Sequence, residues 1–163
     1  MENNEKGLYA LAVFRIMIGW LFIWGFLDKF FGLGFETSPG QGVIDGGSPS
    51  SFVIYVAGGI FKDLFNSLAG NASIDFLMMA GLLILGITIT FGIATKLTTI
   101  FSILFFIVMF CLVIPPKDNP VLDYHIILAV GMLVIYWMGG YTKLSLTDRI
   151  RELSIVKRFP ILE

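Results

Sequence analysis

Apolar residues fall along this chain in four long runs, at residues 8–31, 74–93, 97–114 and 121–138. At 1.5 Å of rise per residue, each run extends roughly 27–36 Å as a helix, enough for a hydrocarbon core of about 30 Å. Only helices and closed barrels satisfy their own backbone in lipid, and runs of this length are helices. Punctuation falls between them. Gly32 and Gly34 close the first run, and Gly92 precedes a tight turn at Ala94-Thr95-Lys96. Pro115-Pro116 stops the third run, Asn119-Pro120 opens the fourth and Gly139-Gly140 ends it. The pattern predicts an all-α integral membrane protein, a four-transmembrane-helix bundle in a single domain spanning 1–163.

Between the first two runs lies a long segment, 33–73. Its first part, GFETSPGQGVIDGGSPSS, is rich in Gly, Ser and Pro and reads as turns. Further on, Ile60, Phe61, Leu64, Phe65 and Leu68 recur at helical spacing with Lys62, Asp63, Asn66 and Ser67 between them. That spacing predicts an amphipathic helix capping the bundle, and a structured loop of this length is a candidate lid. Asn71-Ala72-Ser73 also fits the glycosylation acceptor pattern.

Four spans put both termini on one side. That side carries Lys6, Lys96, Lys143, Arg149, Arg151, Lys157 and Arg158, seven basic residues, against Lys62 and Lys117, two, on the other. Basic residues favour the cytoplasmic face, so the expectation is a multi-pass protein of the cell membrane with both termini cytoplasmic, segment 33–73 extracytoplasmic and a cytoplasmic tail at 141–163. The tail stretch TDRIRELSIVKRF is either a plain topology signal or a short amphipathic helix on anionic lipid. The first run exceeds the apolar core of a signal peptide and is read as a retained helix.

Composition narrows the function classes. Only 14% of the residues are charged, where soluble domains carry about a quarter, 56% are hydrophobic, and the mean hydropathy is +0.87. A net charge of -1 argues against nucleic-acid binding. Cys111 is the only cysteine and His125 the only histidine, which excludes an intrachain disulfide, a bis-histidine haem and a zinc site of histidine and cysteine within one chain. No metal, flavin or haem motif is present.

Against this apolar background the ionisable residues stand out. Within FRIMIGWLFIWGFLDKFFG, Arg15, Gly19, Phe22, Phe26 and Lys29 keep to one helical stripe, with the two cations roughly 21 Å apart along the axis. Trp20, Trp24 and Asp28 form a second stripe nearly opposite, so this helix is expected to pack on both sides, with Gly19 and Gly25 permitting close approach. Arg15 reads as a structural intramembrane charge, either snorkelling to the inner headgroups or paired across helices. The outer end of the bundle collects Asp28, Lys29, Asp75, Asp123 and His125. Charges inside spans usually face the bundle interior, and histidine titrates near neutral pH, so this group is a candidate functional constellation.

The stretches LFIWGFLDKFFGLGFET (21–37), GGSPSSF (46–52), LAGN (68–71), LMMAGLLILGITITFGIATKL (77–97) and IPPKDNPVLDYHIILA (114–129) resemble the DoxX superfamily of small four-helix membrane proteins. More closely they are similar to the DoxD-like subunit of thiosulfate:quinone oxidoreductase, over nearly the whole chain from Phe14 to about Gly140. The resemblance implies oxidation of thiosulfate to tetrathionate at the outer face, with two electrons passing to quinone as acceptor, alongside a DoxA-like second subunit. On that reading Asp28, Lys29, Asp123 and His125 are the candidate catalytic residues. Lys29, His125 and Lys117 would hold the anion. Trp20, Trp24 and Phe26 would form the quinone slot, with Lys29 or His125 as hydrogen-bond donor, and Asp28, Asp123 and His125 would relay protons. The expected partners are the lipid bilayer, a DoxA-like subunit and, as an open alternative, a second copy of the chain. Two other readings stand beside the enzyme: a non-catalytic scaffold or assembly subunit for a partner oxidoreductase, and a small-molecule or anion carrier, against which the chain shows no internal repeat.

Overall fold

A computed structural model describes residues 3–116, 119 and 121–159, and among these every regular element is helical. Helix α1 covers Asn3–Phe31. A connecting segment follows, with single 3-10 turns at Val43–Asp45, Pro49–Phe52 and Gly59–Phe61 and short helices α2, Val53–Val56, and α3, Lys62–Leu68. Then come α4, Ala72–Phe91, α5, Thr95–Val113, and α6, Tyr124–Trp137. Two short helices, α7 at Thr147–Arg151 and α8 at Ser154–Arg158, lie beyond.

Among the described residues three helices, α1, α4 and α5, are long and apolar enough to cross a membrane. The fourth run behaves differently. It was expected to begin at residue 121, but α6 begins at Tyr124 and has 14 residues, about 21 Å of helix. The physical reason is its cap: Asp123 sits in extended backbone and its carboxylate accepts from the His125 N–H at 2.8 Å, which fixes the first turn there. The other expected boundaries shift by a few residues, and α1 is already helical at Asn3, the first described residue, because nothing in its polar first turns breaks a helix.

Local chemistry sets the ends of α4. Asn71 caps its start, its side-chain oxygen accepting from the N–H groups of Ser73 at 2.9 Å and Ile74 at 3.4 Å. The sequon oxygen is thus engaged in a cap. Replacing Asn71 with alanine should destabilise the fold by about 1 kcal/mol, and Asn71→Asp should not; thermal unfolding in detergent tests this pair. At the other end Gly92 turns left-handed, φ +67, and a side chain there would press on Ser145, Arg15 and Thr147. Hydroxyls inside the apolar helices return to the backbone, as with Thr88 on Ile84 O, Thr99 on Thr95 O and Ser102 on Thr99 O.

Helix α1 packs chiefly on α4, and α5 on α6. The core between them contains Ile18, Phe22, Leu82, Leu85, Ile89, Phe106, Met132 and Ile135. The outward faces are equally apolar: Met17, Leu21, Phe76, Leu77, Ile84, Phe101, Leu104 and Ile127 are all more than half exposed. A helix bundle greasy on both sides is built for lipid, where packing and small residues rather than water exclusion hold helices together. Gly19 and Gly86 are those small residues. A Cβ on Gly19 would lie 2.9 Å from the Thr90 backbone N, and one on Gly86 would lie 2.9 Å from the Ile23 N. Gly25, also expected at a close approach, has only ordinary contact with Leu82 at 3.6 Å.

The chain reverses so that residues 5–15, 91–96 and 141–147 share one end, here called the termini end. Leu146 N–H donates to Phe91 O at 2.7 Å across it, and Lys143 Nζ lies 3.5 Å from Glu5. The connecting segment gathers at the opposite end. Helix α3 falls within the expected stretch, but its apolar face is only half covered. Phe65 packs on Val53 and Leu112, whereas Ile60 and Leu64 remain exposed.

Candidate functional site

The loop end of the bundle is organised by two carboxylates. Asp28, in the last turn of α1, is 1% exposed. Its Oδ1 accepts from Phe35 N–H at 3.2 Å, and its Oδ2 accepts from Glu36 at 3.0 Å and Thr37 at 2.8 Å. The turn is possible because Gly32 takes φ +63 just after the helix, with Ser38 O and Gly42 N where a side chain would go. Asp75, in the first turn of α4, accepts from Ser48 Oγ at 2.9 Å and Ser50 N–H at 2.8 Å. Gly58 N–H closes a third tie to Leu112 O at 3.0 Å on α5. The connecting segment is therefore held on α1, α4 and α5.

Under it lies a cavity of about 530 Å³, walled by α1, α4, α5, α6 and the segment itself. Its sides are apolar: Trp24, Phe52, Leu82, Phe105, Phe106 and Leu112. Its polar end holds two pairs. Lys29 Nζ, with its side chain only 5% exposed, lies 2.7 Å from Glu36 Oε2 and 4.8 Å from the centroid of the Phe52 ring. The imidazole Nδ1 of His125 is hydrogen-bonded to the Asp123 carboxylate, and the ring packs beside Tyr124 and Phe106. Lys29, Glu36, Tyr55, Tyr124 and His125 all line the same space.

The structure brings Trp24, Asp28, Lys29 and His125 to this cavity, with Asp123 behind His125. It does not bring Trp20, which is 52% exposed on the outside of α1, its ring centroid 6.1 Å from that of Trp24. Phe26 is also elsewhere, packed against the core and stacked on Phe30. The slot expected from these three aromatics is instead closed by Trp24 with Phe52, Phe105 and Phe106, because one helix face cannot wall a cavity that four helices surround. Asp75 is turned to the serines rather than to the cavity. Lys117 lies outside the described residues. Glu36, Tyr55 and Tyr124 were missed; the acid in GFETS, seven residues after Lys29 across a glycine turn, was the one readable signal.

Charge at this end tilts negative. Asp28, Glu36 and Asp123 face one amine and one imidazole. Asp28 is also saturated by three N–H donors, which suits it to holding the turn rather than moving a proton. Among the described residues no group of three or more His, Cys, Asp or Glu is placed to hold a metal ion.

Arg15 is far from this cavity. It is fully buried at the termini end, where Nη2 donates to Leu144 O at 2.6 Å and to Lys143 O at 3.4 Å. The guanidinium also lies 5.2 Å from the centroid of the Tyr141 ring. Burial raises the Tyr141 hydroxyl above the usual tyrosine range, opposed by its hydrogen bond with Thr99 and by the nearby Arg15 charge, so it stays protonated at neutral pH.

No family model matches the chain, and neither a curated protein nor a solved structure matches it.

Proposed function

We infer that this chain is the quinone-binding membrane subunit of an oxidoreductase of the thiosulfate:quinone type, four-spanning with its termini in the cytoplasm. One observation carries the reading: a cavity of about 530 Å³ with aromatic and aliphatic walls meets two ionisable pairs, Lys29–Glu36 and His125–Asp123, at one end. A quinone needs an apolar slot and one or two hydrogen-bond donors at its carbonyl oxygens, and pockets of this size hold such ligands. Lys29 supplies an N–H donor held by Glu36. His125, oriented through Nδ1 by Asp123, presents its other nitrogen, which in the protonated ring is a second donor and a proton source. Reduction takes up two electrons and two protons. The electrons come from the sulfur anion.

The three carboxylates around Lys29 and His125 make this cavity a poor place for the dianion itself. The sulfur chemistry is therefore assigned to a partner subunit of the DoxA-like kind, with quinone received here. A second reading, the scaffold, is favoured by one specific observation: Asp28 and Asp75 both serve to hold the connecting segment.

The purified chain in detergent should quench its Trp24 fluorescence on titration with a short-chain quinone. Lys29→Met and His125→Phe should each weaken that binding about tenfold, as loss of one charge-assisted hydrogen bond requires. Co-expression with a DoxA-like subunit should then give thiosulfate-dependent quinone reduction that both variants lower. Quinone binding unchanged in both variants would leave the pairs structural and hand the case to the scaffold.

A further inference from the structure

At the termini end a second cavity, of about 480 Å³, opens between the start of α5, the end of α6 and α7. Its character differs from the first. Lys96 and Arg151 stand at it with the hydroxyl-bearing Thr142 and Tyr141, and Trp137, 73% exposed, forms its outer wall. Among the described residues neither Lys96 nor Arg151 forms an ion pair, although Asp148 is also part of the lining. Behind Tyr141 sits Arg15, whose Nε and Nη1 are buried with no hydrogen-bond partner and which faces two carbonyls rather than a carboxylate. Two cations, Lys96 and Arg151, thus line this cavity beside one carboxylate, Asp148, with the Arg15 guanidinium on the Tyr141 ring behind it. The field is one that an anion would complete.

We propose that this cavity binds a phosphate group, gripped by Lys96 and Arg151. An exposed Trp beside basic residues at a helix end is the arrangement found at headgroup depth, so the favoured source is the phosphate of an anionic phospholipid whose chains lie along α5 and α6. The guanidinium fork of Arg151 suits two phosphate oxygens, and Lys96 supplies a point charge. Free inorganic phosphate offers the same chemistry. The proposal is independent of the quinone reading, since it uses none of the residues around Lys29.

Trp137 makes the test direct. In a chain carrying Trp20→Phe and Trp24→Phe it is the sole tryptophan. Brominated phosphatidylglycerol should quench it at about 25-fold lower mole fraction than brominated phosphatidylcholine. Lys96→Gln with Arg151→Gln should erase that preference, at about fivefold per cation. Lys157→Gln with Arg158→Gln, charges on α8 that do not line the cavity, should leave it intact. Arg151→Gln alone gives the partial loss if the double variant does not fold. Inorganic phosphate added at constant ionic strength separates the sources: displacement of the lipid together with its own effect on Trp137 identifies a soluble phosphate site, and no displacement identifies the headgroup. Absence of both the lipid preference and a phosphate response overturns the proposal. So does an equal loss in the α8 variant, which would mean diffuse attraction to a basic surface.

Discussion

Asp28→Ala should lower the stability of the protein by about 3–5 kcal/mol and release the start of the connecting segment. Hydrogen bonds to a charged group contribute about 1.5–3 kcal/mol each, and three N–H groups, those of Phe35, Glu36 and Thr37, depend on this one carboxylate. The estimate sits mostly below the summed range of about 4.5–9 kcal/mol because Phe35 and Glu36 are on an exposed turn, where water replaces some of what is lost. Lys29 suffers too, since Glu36 reaches it only while the turn is closed. Asp28→Asn keeps one acceptor oxygen and should lose about half as much. Thermal melts in detergent, with hydrogen exchange at residues 35–37, measure both. If Asp28→Ala melts with the parent but halts turnover, the carboxylate is a proton carrier and the anchoring account fails.

Gly19→Val should be nearly as severe, for a reason of space. A Cβ at residue 19 meets the side chain and the backbone N of Thr90 on α4, the latter at 2.9 Å, so the two most closely packed helices must separate. Overpacking of this kind typically costs 1–3 kcal/mol, and about 3 kcal/mol is expected here because backbone cannot rotate out of the way. Shortening the neighbour tests the geometry. Gly19→Ala in a Thr90→Ala background should remain destabilised, because the backbone atom is still in place. Full rescue by Thr90→Ala would show that only the hydroxyl was in conflict.

The apolar runs gave away α1, α4 and α5 because hydropathy reports solvent preference, and these helices are greasy on all faces. Residues 121–123 looked like part of the fourth run for the same reason, yet Asp123 is an N-cap, a signal that was present in the letters and overruled by the count of apolar neighbours. Lys29 and His125 stood out in the sequence because an isolated charge in a greasy segment is rare. Their surroundings were not, since Glu36, Phe52 and Phe106 come from three different elements and no periodicity along one chain segment encodes that meeting. Trp20 was misplaced by the opposite error: a shared helical stripe with Trp24 was taken as a shared cavity, although at that depth the cavity is lined by Leu21 and Phe22 while Trp20 is 52% exposed on the outside of α1. Nor does any sequence pattern announce that a guanidinium will find backbone carbonyls, which is why Arg15 looked like a choice between lipid headgroups and an unnamed helix partner.

That arginine bears on how the chain is made. Its acceptor on Leu144 lies 129 residues further along. At a synthesis rate of about 5–20 residues per second, the carbonyl emerges roughly 6–26 s after the guanidinium does. For that interval the first helix carries a charge with no native partner, and it must wait near the headgroups or against the insertion machinery. The bundle therefore closes late: the first helix settles only once the turn at Leu144, made after α6, has left the ribosome's tunnel.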